Sequence, residues 1–99
     1  MNQNQAYRYS FAARVPLQEV IESLYLAIFA AEGVHGRAQV RLDAGYAFDQ
    51  EARSLAVDAG TPVGKTVSQI FTSLLARQFG EEAFTVEHAG GAVDNGRAL

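Results

Sequence analysis

The stretch GRAQVRLDAGYAFDQEARSLAVDA, residues 36–59, decides the fold because it contains two successive runs of alternating apolar and polar residues. The apolar positions of the first run are Ala38, Val40, Leu42, Ala44, Tyr46 and Phe48. Those of the second run are Leu55, Val57 and Ala59. A period of two is typical of strands with one buried face. Residues 36–59 therefore predict an antiparallel hairpin that turns at residues 49–53.

The same alternation precedes this stretch and predicts a first strand that stops at Pro16. Its apolar positions are Tyr7, Tyr9, Phe11, Ala13 and Val15. Pro16 suits the start of a helix, and apolar residues follow at helical spacing. These are Leu17, Val20, Ile21, Leu24, Ala27, Ile28 and Ala31. Gly33 is the predicted C-terminal cap of this first helix.

A second helix and a last strand follow the hairpin. Thr61 and Pro62 fit the N-cap and the first helical position, and Gly80 fits the end of the helix. The apolar stripe between them consists of Val63, Val67, Ile70, Phe71, Leu74 and Leu75. The last strand is predicted over Ala83 to His88.

The order strand, helix, strand, strand, helix, strand resembles the ferredoxin-like split βαβ fold. This resemblance of architecture implies an α+β, two-layer sandwich in which both helices lie on one face of an antiparallel four-stranded sheet. It indicates no particular function, since folds of this type carry many activities. With 99 residues and 48% hydrophobic content, we expect a single domain over residues 6–88, with flexible termini at 1–5 and 89–99.

Composition excludes several classes of function. A net charge of −3 provides no basic field for nucleic acid. The chain has no cysteine, which removes thiolate catalysis and zinc-finger chemistry. The longest apolar run, Leu24 to Ala31, is shorter than the roughly 18 residues that a membrane span needs. The expectation is a soluble, cytoplasmic protein without membrane contact.

The segment from Ala59 to Thr66 looks like a relaxed phosphate-binding P-loop. Its glycine spacing is wrong, and a P-loop enzyme needs a parallel sheet and further strands, for which the chain has no room. The same segment also predicts a simpler anion-binding site at Gly60, Thr61, Gly64, Lys65 and Thr66. The alternative is that Lys65 pairs with Asp58 or a nearby glutamate.

The predicted topology gathers Tyr7, the loop after the first helix, the loop after the third strand and the end of the fourth strand at one end of the sheet. A weak metal site at His35, His88 and Asp58 follows from this gathering. The alternative is that both histidines are ordinary surface residues. No sequence motif identifies a catalytic residue, and no cofactor is expected.

Two surfaces remain for association. The outer face of the sheet is predicted to be polar, with no aromatic residues on which bases stack; its residues are Arg8, Ser10, Arg14, Arg37, Gln39, Arg41, Asp43, Asp58, Thr85 and Glu87. The first helix is apolar on almost all sides, with Tyr25, Leu26 and Phe29 beside its core stripe. These three residues either lie in a groove beside the second helix or under the C-terminal tail, or they contact a partner.

The sequence thus predicts a small non-enzymatic interaction domain that acts as a homodimer, with Tyr25, Leu26 and Phe29 as interface anchors. The alternative is a domain, or a small enzyme, that binds phosphate, another small anion or a metal at the end of the sheet where His35, Asp58, Lys65 and His88 are predicted to gather.

Overall fold

A computed structural model describes residues 5–89 of the chain. The predicted flexible segments therefore lie almost entirely outside the described residues, except for Gln5 and Ala89. The strands are β1 (Ala6–Phe11), β2 (Tyr46–Asp49), β3 (Ser54–Asp58) and β4 (Phe84–Ala89). The α-helices are α1 (Leu17–His35), α2 (Arg37–Asp43) and α3 (Pro62–Phe79), and a 3₁₀ turn covers Glu81–Ala83.

The four strands form one open antiparallel sheet in the order β2-β3-β1-β4. β1 lies in the interior of the sheet, where Tyr9 is opposite Leu55 on one side and Val86 on the other. The predicted α+β class and the antiparallel four-stranded sheet are confirmed. The predicted number of helices is wrong, because the described residues contain three rather than two.

The additional helix, α2, replaces most of the predicted second strand. The N–H of Val40 donates to Gly36 O at 3.1 Å, and the N–H of Ala44 donates to Val40 O at 2.9 Å. Val40 is the only buried residue of α2, and Leu42 is exposed. The alternating pattern of residues 38–44 therefore has no buried face, and its Ala, Arg, Gln and Leu residues are strong helix formers. Of the predicted second strand, only residues 46–49 pair with β3.

Two other boundaries differ from the predictions by more than one residue. β1 ends at Phe11 rather than Val15, because the chain turns at residues 12–15 while Val15 still reaches the core. α1 continues through Gly33 and ends at His35, and its C-cap is Gly36, whose positive φ of 87° glycine adopts readily.

The bounds of α3 are confirmed. Thr61 is the N-cap, and its Oγ1 accepts a hydrogen bond from Gly64 N at 3.0 Å. Pro62 is the first helical residue, and Gly80 with φ 92° ends the helix.

The core lies between one face of the sheet and the packed pair α1 and α3. Its largest fully buried side chains are Tyr9, Leu24, Leu55, Phe71 and Leu75. On the opposite face of the sheet, Arg8, Ser10, Thr85 and Glu87 are exposed. The prediction that Arg37, Gln39, Arg41 and Asp43 share this face is wrong, because all four belong to α2.

Candidate functional site

The predicted end of the sheet does bring some chemically active side chains together, but as two separate pairs. The rings of Tyr7 and His88, on adjacent strands, have centroids 5.2 Å apart. His35 Nε2 lies 2.7 Å from Thr66 Oγ1 and so joins the end of α1 to the first turn of α3. These contacts account for both histidines through ordinary packing and hydrogen bonding.

The predicted metal site is not assembled. Within residues 5–89, no group of three histidine, aspartate or glutamate side chains is placed to hold a metal ion. Asp58 instead accepts a hydrogen bond at Oδ1 from Gly60 N at 2.8 Å, and His35 is engaged with Thr66. The combination His35, His88 and Asp58 therefore does not form a three-ligand centre.

The predicted anion-binding residues do not point to one common site, because most of their polar groups are hydrogen-bonded to different partners within the protein. The N–H of Gly64 is used by the Thr61 cap, and the N–H of Gly60 is used by the Asp58 carboxylate. Thr66 is directed to His35. Lys65 alone lines a pocket on the other side of α3. The loop is the capped start of a helix, and the carboxylate of Asp58 lies beside it. This arrangement does not resemble a phosphate-binding loop, in which free N–H groups contact the phosphate.

The outer face of α1 carries an exposed apolar cluster, which we call the α1 patch and define as Tyr25, Leu26 and Phe29. These side chains are 53%, 56% and 70% exposed, respectively. Residues 25, 26 and 29 are neighbours on a helix surface. Among the described residues, nothing covers these three side chains. The C-terminal tail, which the other alternative places over them, lies outside the described residues.

Tyr46 extends the α1 patch onto β2. Its ring lies 6.2 Å from that of Tyr25, edge to face, and its hydroxyl donates to Tyr25 Oη at 3.4 Å. This hydrogen bond, with a smaller contribution from burial, raises the pKa of Tyr46. Tyr25 and Tyr46 therefore form an aromatic edge of this surface, and their hydroxyl groups make that edge partly polar.

A second surface feature is a pocket of about 510 Å³ between α3 and the sheet, which we call the α3 groove. The sheet contributes Tyr7, Tyr9 and Val86. The helix contributes Lys65, Ser68, Gln69, Thr72 and Ser73. Positions 65, 68, 69, 72 and 73 share one helical face. The spacing of these polar residues is visible in the sequence beside the apolar stripe of the same helix, but no local pattern shows that they face a pocket.

The buried wall of the α3 groove contains a small hydrogen-bond network. Tyr9 Oη lies 2.8 Å from Thr72 Oγ1 and donates to Ser68 O at 3.3 Å. Burial raises the pKa of Tyr9, against the opposing effect of these hydrogen bonds. Ser68 is 3% exposed, and its Oγ has no hydrogen-bond partner within the described residues. An unpaired buried hydroxyl is unfavourable, so Ser68 is an unexplained feature of this pocket.

No protein-family model, curated protein or solved structure matches this chain. Among the helices of residues 5–89, none has the length and apolar character needed to cross a bilayer.

Proposed function

We propose that this protein is a non-enzymatic assembly domain that forms a homodimer through the α1 patch. The observation that carries the proposal is the exposure of Phe29, at 70%, next to two other large apolar side chains that are more than half exposed. Burial of such a side chain stabilises an association by about 1.5–3 kcal/mol. Aromatic residues at the centre of an interface contribute most of its affinity.

The charges beside the patch favour a second copy in an antiparallel orientation. Two of the three glutamates of α1, Glu19 and Glu22, lie in its first half and the third is Glu32, whereas Arg37 and Arg41 follow its C-terminal end in α2. A twofold axis perpendicular to α1 makes the two helices antiparallel, so that the acidic half of one copy approaches the basic end of the other. A parallel pairing instead brings like charges together, which opposes association.

We also propose that the domain is a ferredoxin-like fold into which α2 is inserted. The strand order supports this assignment: β3 lies between the two strands of the β1-α1-β2 unit, and β1 lies between those of the β3-α3-β4 unit. Such interleaving is the arrangement of a split βαβ fold. In this arrangement, α2 extends the connection between α1 and β2 without changing the sheet.

Light scattering coupled to size-exclusion chromatography tests the dimer. The wild type is expected to elute with twice the chain mass at tens of micromolar, and Phe29→Glu with the mass of one chain. Arg77→Glu is the matched control, since it places the same side chain on an exposed position of α3 and leaves the dimer intact. Circular dichroism checks that both variants fold.

Two outcomes overturn the proposal. The first is a wild-type monomer at these concentrations. The second is a dimer that Phe29→Glu and Leu26→Glu leave unchanged. In that case the dimer contact lies on another surface, such as the polar outer face of the sheet.

A further inference from the structure

We propose that the α3 groove is a binding site for a small carboxylic acid with a flat apolar body. The volume of about 510 Å³ falls within the range of about 300–1,000 Å³ that is usual for small-molecule sites. The groove lies between α3 and strands β1 and β4, whereas the proposed dimer contact is on the outer face of α1. The two proposals are therefore independent.

The charge of the ligand follows from Lys65. Among the described residues that line the α3 groove, Lys65 is the only one with a formal charge. It lies in the first turn of α3, where the positive end of the helix dipole adds to the attraction for an anion. A single carboxylate neutralises this lysine, whereas a cationic ligand would be repelled by it.

The hydrogen-bonding requirement follows from Ser68. Ser68 is one of the residues that line the groove, and its hydroxyl is buried and has no hydrogen-bond partner within the described residues. The neighbouring hydroxyl of Tyr9 is already engaged with Thr72 and with the Ser68 carbonyl. A ligand oxygen that accepts a hydrogen bond from Ser68 Oγ removes the energetic cost of this unpaired hydroxyl. The hydroxyl has this partner only in the bound state.

The apolar body of the ligand follows from the sheet side of the groove. Tyr7 is half-buried and packs against His88. Val86 is 41% exposed although it faces the helices from the middle of β4. α3 packs against Tyr9 of β1 and leaves Val86 of β4 partly exposed. A flat ring placed on Tyr7 and Val86 therefore buries apolar surface that the described residues leave uncovered.

An NMR titration of the ¹⁵N-labelled protein tests the site, with 3-phenylpropionate as the probe and 3-phenylpropan-1-ol and acetate as its neutral and ring-free controls. The acid is expected to produce saturable amide shifts at Tyr7, Lys65, Ser68 and Val86, with Kd at or below about 1 mM. The alcohol is expected to bind several-fold more weakly, and acetate to produce no saturation at these residues.

Three variants separate the contributions of the Lys65 charge and the Ser68 hydroxyl to ligand binding. Lys65→Met is expected to weaken binding of the acid roughly three- to fivefold and to leave the alcohol unchanged. Arg77→Met, which removes a positive charge from α3 away from the groove, is expected to change neither. Ser68→Ala is expected to weaken the acid by about threefold or more while the melting temperature of the free protein stays equal or rises, since the unpaired hydroxyl is gone.

Three results would overturn the proposal: no saturable shifts with the acid at about 10 mM, a concentration tenfold above the expected Kd; shifts located outside the groove; or equal affinities in wild type and Lys65→Met. Repeating the titration with Phe29→Glu separates this site from the dimer, because a monomeric variant is expected to bind the acid as the wild type does.

Discussion

Gly64 in the first turn of α3 lies directly against the backbone of β3 at Asp58. A Cβ at position 64 would be 2.9 Å from the Asp58 carbonyl carbon, closer still to its oxygen, and 3.3 Å from Cα of Ala59. These neighbours are backbone atoms and have little freedom to move. The absence of a side chain at position 64 therefore lets α3 start close to the sheet, where Thr61 caps it and Lys65 reaches the α3 groove.

Gly64→Ala is expected to destabilise the protein by at least about 1–3 kcal/mol, because the new methyl group overlaps backbone that cannot relax. Urea denaturation measures the change. Gly33→Ala is the matched control: it lies inside α1, a Cβ there meets nothing within 4 Å, and it is expected to stabilise by about 0.5–1 kcal/mol. If both variants changed stability in the same direction, the close approach at Gly64 would not be the cause.

Arg53 connects the hairpin turn to the β1–α1 turn. Its Nη2 donates to Ala12 O at 2.7 Å and also to Val15 O, and its φ of 53° is unusual for a residue other than glycine. Arg53→Ala is expected to cost about 2–3 kcal/mol in denaturant unfolding, since it leaves these carbonyls unpaired.

Arg53→Gly separates the two roles of this residue, since it also lacks the guanidinium but adopts the positive φ freely. It is expected to be about 1 kcal/mol more stable than Arg53→Ala. Arg8→Ala, on the exposed face of the sheet, is expected to change stability by less than about 0.5 kcal/mol. An Arg53→Ala variant as stable as Arg8→Ala would contradict this structural role.

Tyr9→Phe is expected to cost about 1 kcal/mol at neutral pH, because Thr72 Oγ1 and Ser68 O lose a buried partner. Burial raises the folded-state pKa of Tyr9 above 10.0, so the folded state retains the phenol proton longer than the unfolded state. The contribution of the protonated phenol to the free energy of unfolding is fully present below pH 10.0, and it is lost as the pH rises through the folded-state pKa.

The stability difference between wild type and Tyr9→Phe is therefore expected to shrink above about pH 10, as measured by urea titrations at several pH values. Tyr46→Phe, which removes an exposed hydroxyl, is the control and is expected to change neutral-pH stability by less than about 0.5 kcal/mol. If the difference in free energy of unfolding between wild type and Tyr9→Phe stayed constant up to about pH 11, the raised folded-state pKa of Tyr9 would be contradicted.

The hydrogen bond between His35 and Thr66 is expected to couple the end of α1 to the start of α3. A double-mutant cycle with His35→Ala and Thr66→Val is expected to give a coupling free energy of about 0.5–1.5 kcal/mol. The control cycle pairs His35→Ala with Ser73→Ala, on another side of α3, and is expected to show additive effects. Additivity in the first cycle would mean that the contact contributes nothing to stability.

Local residue chemistry predicted several elements correctly. Thr61 and Pro62 predicted the start of α3 and Gly80 predicted its end, because capping and proline geometry depend on only a few neighbouring residues. The alternation at Tyr7, Tyr9 and Phe11 predicted the buried face of β1 for the same reason. The same type of pattern gave a wrong prediction over residues 38–44, where Ala38 and Leu42 are exposed and only the contact of Val40 with the core decides which side of the segment is buried.

The functional surfaces depended on tertiary structure to different degrees. The wide apolar stripe of α1 was predictable from its residues, but only the packing of α1 decided that Tyr25, Leu26 and Phe29 are exposed. The α3 groove was not predictable, because its residues come from α3, β1 and β4 and become neighbours only when α3 packs on the sheet.

By itself, the sequence determined the α+β class, the three longest strands, the limits of α3 and the excess of apolar surface on α1, since periodicity and capping are local properties of the chain. Only the tertiary structure decided that residues 37–43 are helical, that Arg53 joins two turns, and that Lys65 and Ser68 face Tyr7 and Val86 across a pocket. These features arise from contacts between residues distant in the chain, whose positions no local pattern specifies.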